Sequence, residues 1–257
     1  MSKVQYSINS SQSIIFYSSN TEVDYLTIAK ILETNTTLME NCFSFASPKN
    51  LQILRDESLP TPISTSIAGI PIIKLNVANG NFYAQYVFQF SHELCHVLIG
   101  KEKEHSHQSR DAWFEEVVCE VSSRFFLDKI SKARNLDIIS SYLPEFKTYA
   151  LDRESMISTF DFRVLSNEES HLLNRFRSEI ENRTYGNDDT RNHYNYIANF
   201  IHPIFEENPN LWQEVYFIRN FSNEKGFIEN LISWRNESQR DENKKSIQKI
   251  INLFNNN

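Results

Sequence analysis

The stretch FYAQYVFQFSHELCHVLIG (82–100) constrains this chain more than any other. Tyr83, Tyr86, Val87, Phe90, Leu94 and Val97 run around much of a helix predicted over about 81–99. A helix that is apolar on nearly all sides belongs in a core. Its second half nevertheless carries His92, Glu93 and His96, and that placement is more informative than the same set on a surface helix. Residues four apart lie one above the other on a helix, so His92 and His96 can offer two imidazole nitrogens to one metal ion. Glu93 occupies the adjoining face, where a carboxylate can reach a water bound to that metal. This is the H-E-x-x-H arrangement, which on a helix reads as a zinc site with Glu as general base. Gly100 follows in the usual position for a helix end.

Two histidines do not complete such a site, because catalytic zinc takes three protein ligands and a water. The polar loop KEKEHSHQSRD (101–111) leads to a second helix predicted over 112–131, with Asp111 as its N-cap. Glu115, Glu116 and Glu120 are the candidate third ligands. His105 and His107 read as surface residues of the loop. Glu116, Cys119, Glu120 and Ser123 form a stripe at helical spacing that is too polar for a core unless it faces something charged. We assign Glu116 as the third ligand, with Glu120 its main rival. In that assignment Glu120 accepts the free N–H of a ligating histidine, a contact that orients the ring and raises its basicity. Glu115 points about 100° away on the helix, toward solvent or a salt-bridge partner.

Composition narrows the function classes. The chain has 257 residues, 19 Phe and 11 Tyr, ample for a core, and only five Gly to form flexible linkers. A net charge of −7 excludes a nucleic-acid-binding surface, which needs clustered Lys and Arg. Cys42, Cys95 and Cys119 make no disulfide framework, and Cys95 and Cys119 read as small core residues near the metal ligands. MSKVQYSINSSQS is too polar for a signal peptide, and no window reads as a transmembrane helix. The expectation is a cytoplasmic protein without membrane or nucleic-acid partners.

Read in order, the first 80 residues form a small α/β layer. Strands are predicted at 13–18, 43–45, 51–55 and 70–77, with a helix from about 22 to 40 capped by Asn20 or Thr21. Residues 58–69 carry Pro60, Pro62 and Gly69 and read as loop. Pro71 makes 70–77 an edge strand. Beyond residue 80 the periodicity is helical throughout, with further helices predicted at 136–143, 144–151, 166–183, 188–206, 209–220, 223–236 and 242–254. Ser166 to Glu169 reads as a capping box, and Pro203 should kink or end its helix. The expected fold is α+β: a short mixed sheet in an N-terminal subdomain (1–80), packed on a larger, mostly helical body (81–257).

H-E-x-x-H followed some twenty residues later by W-x-x-E is similar to the gluzincin metallopeptidases. Here the matching residues are His92 to His96, Trp113-Phe114-Glu115-Glu116 and then Glu120. The pattern AQYVFQFSHELCH…WFEEVVCE…HPIFEENPNLW also resembles a set of bacterial proteins of similar length that carry H-E-F-C-H and W-F-x-E-x-x-C-E. The specific motifs cover about 84–127, with weaker resemblance to about 219. Glu120 stands where Asp is more usual, and Val117 where aminopeptidases have Gly. The resemblance implies a zinc-dependent metallopeptidase acting on a peptide or protein, with Glu93 passing the water's proton to the leaving amine. It also implies a donor for the oxyanion, for which Tyr194, Tyr196, His193 and His202 are candidates, Tyr196 and His202 foremost. The strand before the metal helix is expected to bind substrate by edge pairing, through Ile72, Lys74 and Leu75. Two other classes fit the same residues: a zinc-containing binding or regulatory module without turnover, and a narrow-target protease acting as a toxin or defence effector.

Overall fold

The computed structural model describes residues 2–9, 12–18, 25–44, 51–55, 63–67, 69–77, 82–100, 111–132, 137–142, 144–149, 167–182 and 190–255. The loop histidines His105 and His107, the caps at Asn20, Thr21 and Ser166, and Phe45 lie outside these residues. The fold is α+β and mostly helical, with short strands confined to the N-terminal third. The chain divides into two compact units, Met1–Glu102 with Ser122–Arg153, and Lys103–Val121 with Glu154–Asn257. The 82–100 stretch falls in the same compact unit as the sheet, and packs on the strands Ile63–Ile67 and Ile70–Leu75 and the helix Tyr25–Phe43.

In the first unit, β1 (Ser2–Asn9) and β2 (Gln12–Ser18) form an antiparallel hairpin. The first strand escaped sequence reading because SKVQYSIN carries few apolar residues. Helix α1 (Tyr25–Phe43) runs three residues past its expected end, so Phe43 is helical rather than part of a strand. Its 0 % exposure and its ring contact with Phe126 show why: Phe43 completes the apolar face of α1. Next come β3 (Gln52–Arg55), β4 (Ile63–Ile67) and β5 (Ile70–Leu75), in the order β3-β5-β4. Strand β4 replaces part of the expected loop at 58–69, because Ile63, Thr65 and Ile67 alternate along a strand that pairs antiparallel with β5.

β5 is the central strand, not an edge. Pairing with β3 begins only at Ile72, opposite Gln52, so the N–H that Pro71 lacks is not needed on that side. Among the described residues, β3 and β4 are the outer strands of this sheet, each paired with β5 alone. Helix α2 (Tyr83–Ile99) packs on β4, β5 and α1. Every residue of α2 except Gln85 is buried. The turn into it is held from both sides: Arg55 donates to the Val77 carbonyl (3.0 Å) and Gln89 to that of Asn76 (2.6 Å). Gly100 closes α2 at φ 92°, its N–H donating to the His96 and Val97 carbonyls.

Helix α3 (Ala112–Ser131) is one continuous helix shared by the two units, its first half counted with the second and its second half with the first. The second unit continues with α4 (Asn167–Asn182), α5 (Thr190–Glu207), a 3₁₀ helix (Pro209–Asn220), α6 (Phe227–Glu237) and α7 (Asp241–Phe254). Pro203 does not end α5, which runs a further turn to Glu207. The break falls at Asn208, where Pro209 disfavours helical backbone in the residue before it. Residues 209–220 are 3₁₀ rather than α. The core of this unit is aromatic. Trp113 and Phe114, at the start of α3, meet Phe227 and Phe254, with ring centroids 4.7–6.5 Å apart. Trp234 closes on Phe114 and donates its indole N–H to the Glu214 carbonyl.

Candidate metal centre

His92 and His96 stand one turn apart on α2, with ring centroids 5.0 Å apart. Glu116, on the second turn of α3, completes a group whose ligand atoms all lie within 4.8 Å of one another. Two imidazoles and one carboxylate are the donor set of a hydrolytic zinc site, so the residues present fit a metal ion. Among the described residues this is the one cluster of His, Cys, Asp or Glu with that property. The surroundings are dry: His92 is 9 %, Glu93 4 % and His96 2 % exposed, while Glu116 is half-buried. Burying this many ionisable groups is costly unless they are paired or coordinate a metal.

The rivals for third ligand are separated by this geometry. Glu115 and Glu120 are both buried, but only Glu116 joins the two histidines. Glu120 lies one turn further along α3, as the pattern of the stripe required. Sequence reading overlooked Arg124, which continues that stripe at i+4 from Glu120 and is only 3 % exposed. The spacing Glu116, Glu120, Arg124 was the available signal.

Buried hydroxyls hold the second half of α3 against α2. Ser123 donates from Oγ to the Phe88 carbonyl (2.9 Å) and Ser122 to the Ser91 carbonyl (3.0 Å). Asn35 of α1 donates to Ser91 Oγ at 2.7 Å. All four of these polar side chains or their acceptor turns are buried, and all belong to the first unit. At its N-terminus, α3 is held in the second unit by Trp113, Phe114 and Asp111. The expected capping residue, Asp111, is 1 % exposed and accepts from Asn230 Nδ2 at 2.6 Å.

The other sequence candidates have these contacts. His193 donates or accepts through Nε2 to Glu179 Oε2 (2.7 Å) and lies edge-on to Phe176, bridging α5 to α4. Its geometry is that of a satisfied structural histidine. Tyr196 packs against Phe176 and Phe200, and His202 faces Glu206 at 3.8 Å along its own helix. Tyr194 is half-buried on the same helix. These contacts all lie within the second unit. Ile72 and Leu75 are buried and Lys74 half-buried on a strand paired on both sides, so edge pairing through them is corrected. Cys95 and Cys119 are fully buried and Cys42 is half-buried. Burial pushes the Cys42 thiol up from its usual 9.0, with Lys129 opposing, which keeps it protonated at neutral pH.

No helix of the described residues is long and apolar enough to cross a membrane. Neither protein-family models nor curated protein sequences yield a match to this chain.

Proposed function

We propose that the protein is a zinc-dependent metallopeptidase, with His92, His96 and Glu116 as ligands and Glu93 as general base. One observation carries the reading: a His-His-Glu group whose two histidines are buried, with Glu93, also buried, in the same turn of a helix. A zinc ion held by these ligands would supply Lewis acidity and lower the pKa of a bound water to about 7. Glu93 would serve as the base for that water and as the acid for the leaving amine. Edge pairing with an extended peptide passes from β5 to β4, which packs on α2 and keeps one side unpaired among the described residues. Ile63 and Ile67 are exposed along it, a surface suited to apolar substrate side chains.

The low exposure of Glu93 and His96 also supports a second reading, in which the metal is structural and the protein is a binding or regulatory module. The variant Glu93→Gln separates the two. In a peptidase it keeps zinc and loses hydrolysis of a casein or peptide-library substrate by 10²-fold or more, the span of a general base. Equal behaviour of wild type and Glu93→Gln in every hydrolytic assay would leave the binding module as the function. Protein purified without chelator and carrying no stoichiometric metal would refute both readings.

A further inference from the structure

We propose that Ser122 and Ser123 are positioning residues that lock the register of α3 on α2, and so select Glu116 over Glu120 as the third ligand. The inference rests on the metal-site reading above. Its starting point is the direction of the contacts. Moving up α2 from Phe88 through Ser91 to His96, the partner on α3 steps back from Ser123 through Ser122 to Glu116. The two helices are therefore antiparallel along this seam.

Ser123 and Glu116 are seven residues apart and share one face of α3, as Phe88, His92 and His96 share one face of α2. The hydroxyl contact and the ligand group thus lie on the same facing stripes. Apolar neighbours alone specify register weakly, because Val117, Val118 and Val121 are identical in bulk and all buried. A slip of one turn would move α3 by about 5.4 Å and place Glu120 where Glu116 now stands. The hydroxyls resist that slip. Each must reach a particular carbonyl, and a buried hydroxyl without a partner is costly. The carbonyls they choose matter too. Phe88 O is the acceptor of the His92 N–H and Ser91 O that of the Cys95 N–H in the α2 ladder. The clamp therefore grips the turn that carries the first ligand. Asn35 holds the same turn from α1 through Ser91 Oγ.

The test compares six proteins, with folding checked by far-UV circular dichroism: wild type, Ser122→Ala/Ser123→Ala, and each of these carrying Glu116→Ala or Glu120→Ala in turn. Zinc affinity is measured by chelator competition, and site geometry by the visible absorption of the cobalt(II)-substituted protein. The serine pair variant is expected to fold, to bind zinc about 10–100-fold more weakly, and to show a changed cobalt spectrum. The gap in affinity between Glu116→Ala and Glu120→Ala should be wide in the wild-type background and narrow in the serine-less one. Thr36→Val removes another buried hydroxyl of the first unit, one bonded within its own helix to the Leu32 carbonyl. It should leave affinity and spectrum unchanged. Unchanged zinc affinity and cobalt spectrum in the serine variant, with wild type binding metal, would overturn the register lock alone. Absence of metal binding by wild type would overturn the metal reading and this proposal with it.

Discussion

At the scale of single residues, the separation of Glu116 from Glu120 decides the chemistry. Both are carboxylates on one face of α3, and only Glu116 shares the group with His92 and His96. Glu116→Ala is expected to abolish stoichiometric zinc, whereas Glu120→Ala should weaken it by about 10–100-fold. Metal analysis after dialysis checks both, and the reverse order would exchange their roles. A second residue prediction concerns pH. Arg175 first, and then His193, hold the Glu179 carboxyl below its usual 4.5 by hydrogen bonding. A depressed native pKa means that the unfolded chain binds this proton more tightly. The contribution is therefore complete above the unfolded value and is lost as pH falls through the folded one. Glu179→Gln is expected to flatten the acid side of a stability profile below pH 4.5, measured by urea midpoints.

At the scale of elements, the ends of the helices are set by local rules that a substitution can break. Gly100 sits at φ 92°, where a Cβ is strained. Gly100→Ala should cost about 1 kcal/mol or more in unfolding free energy, read from denaturant curves. Fraying the last turn of α2 would also loosen His96, whose carbonyl accepts the Gly100 N–H. The same physics explains the misplaced break in α5. Pro203 removes one donor but tolerates the helix, and the stop comes where Pro209 restricts Asn208. Strand β5 shows the limit of such rules. Pro71 carries the signature of an edge, yet the tertiary pairing starts one residue later and makes the strand central.

At the scale of the molecule, the proposed zinc site would link stability to metal occupancy. Zinc binding only the folded state adds about 4 kcal/mol at a free concentration a thousandfold above Kd. Wild-type Tm should therefore rise with added zinc and fall with chelator, and the response should vanish in Glu116→Ala. The aromatic core of the second unit holds the first turn of α3, the helix that carries Glu116. Trp234 is 1 % exposed, meets Phe114 and donates to the Glu214 carbonyl. Trp234→Ala should cost about 3–5 kcal/mol, measured by thermal unfolding, with weakened zinc binding because Phe114 anchors the first turn of α3.

By itself the sequence determined the buried helix over 82–100, its two histidines, the Glu beside them, the α+β class and most helix positions. Those features follow from spacing along a single element, where 3.6 residues per turn settles which side chains coincide. Strand β1, the strand inside the expected loop, the central place of β5 and the helical state of Phe43 required the tertiary structure. Each depends on a partner distant in the chain: a second strand, a neighbouring sheet position or an apolar face. The choice of Glu116 over Glu120 belongs to this second class. Helical periodicity places both on one face, and only the packing of α3 against α2 selects between them.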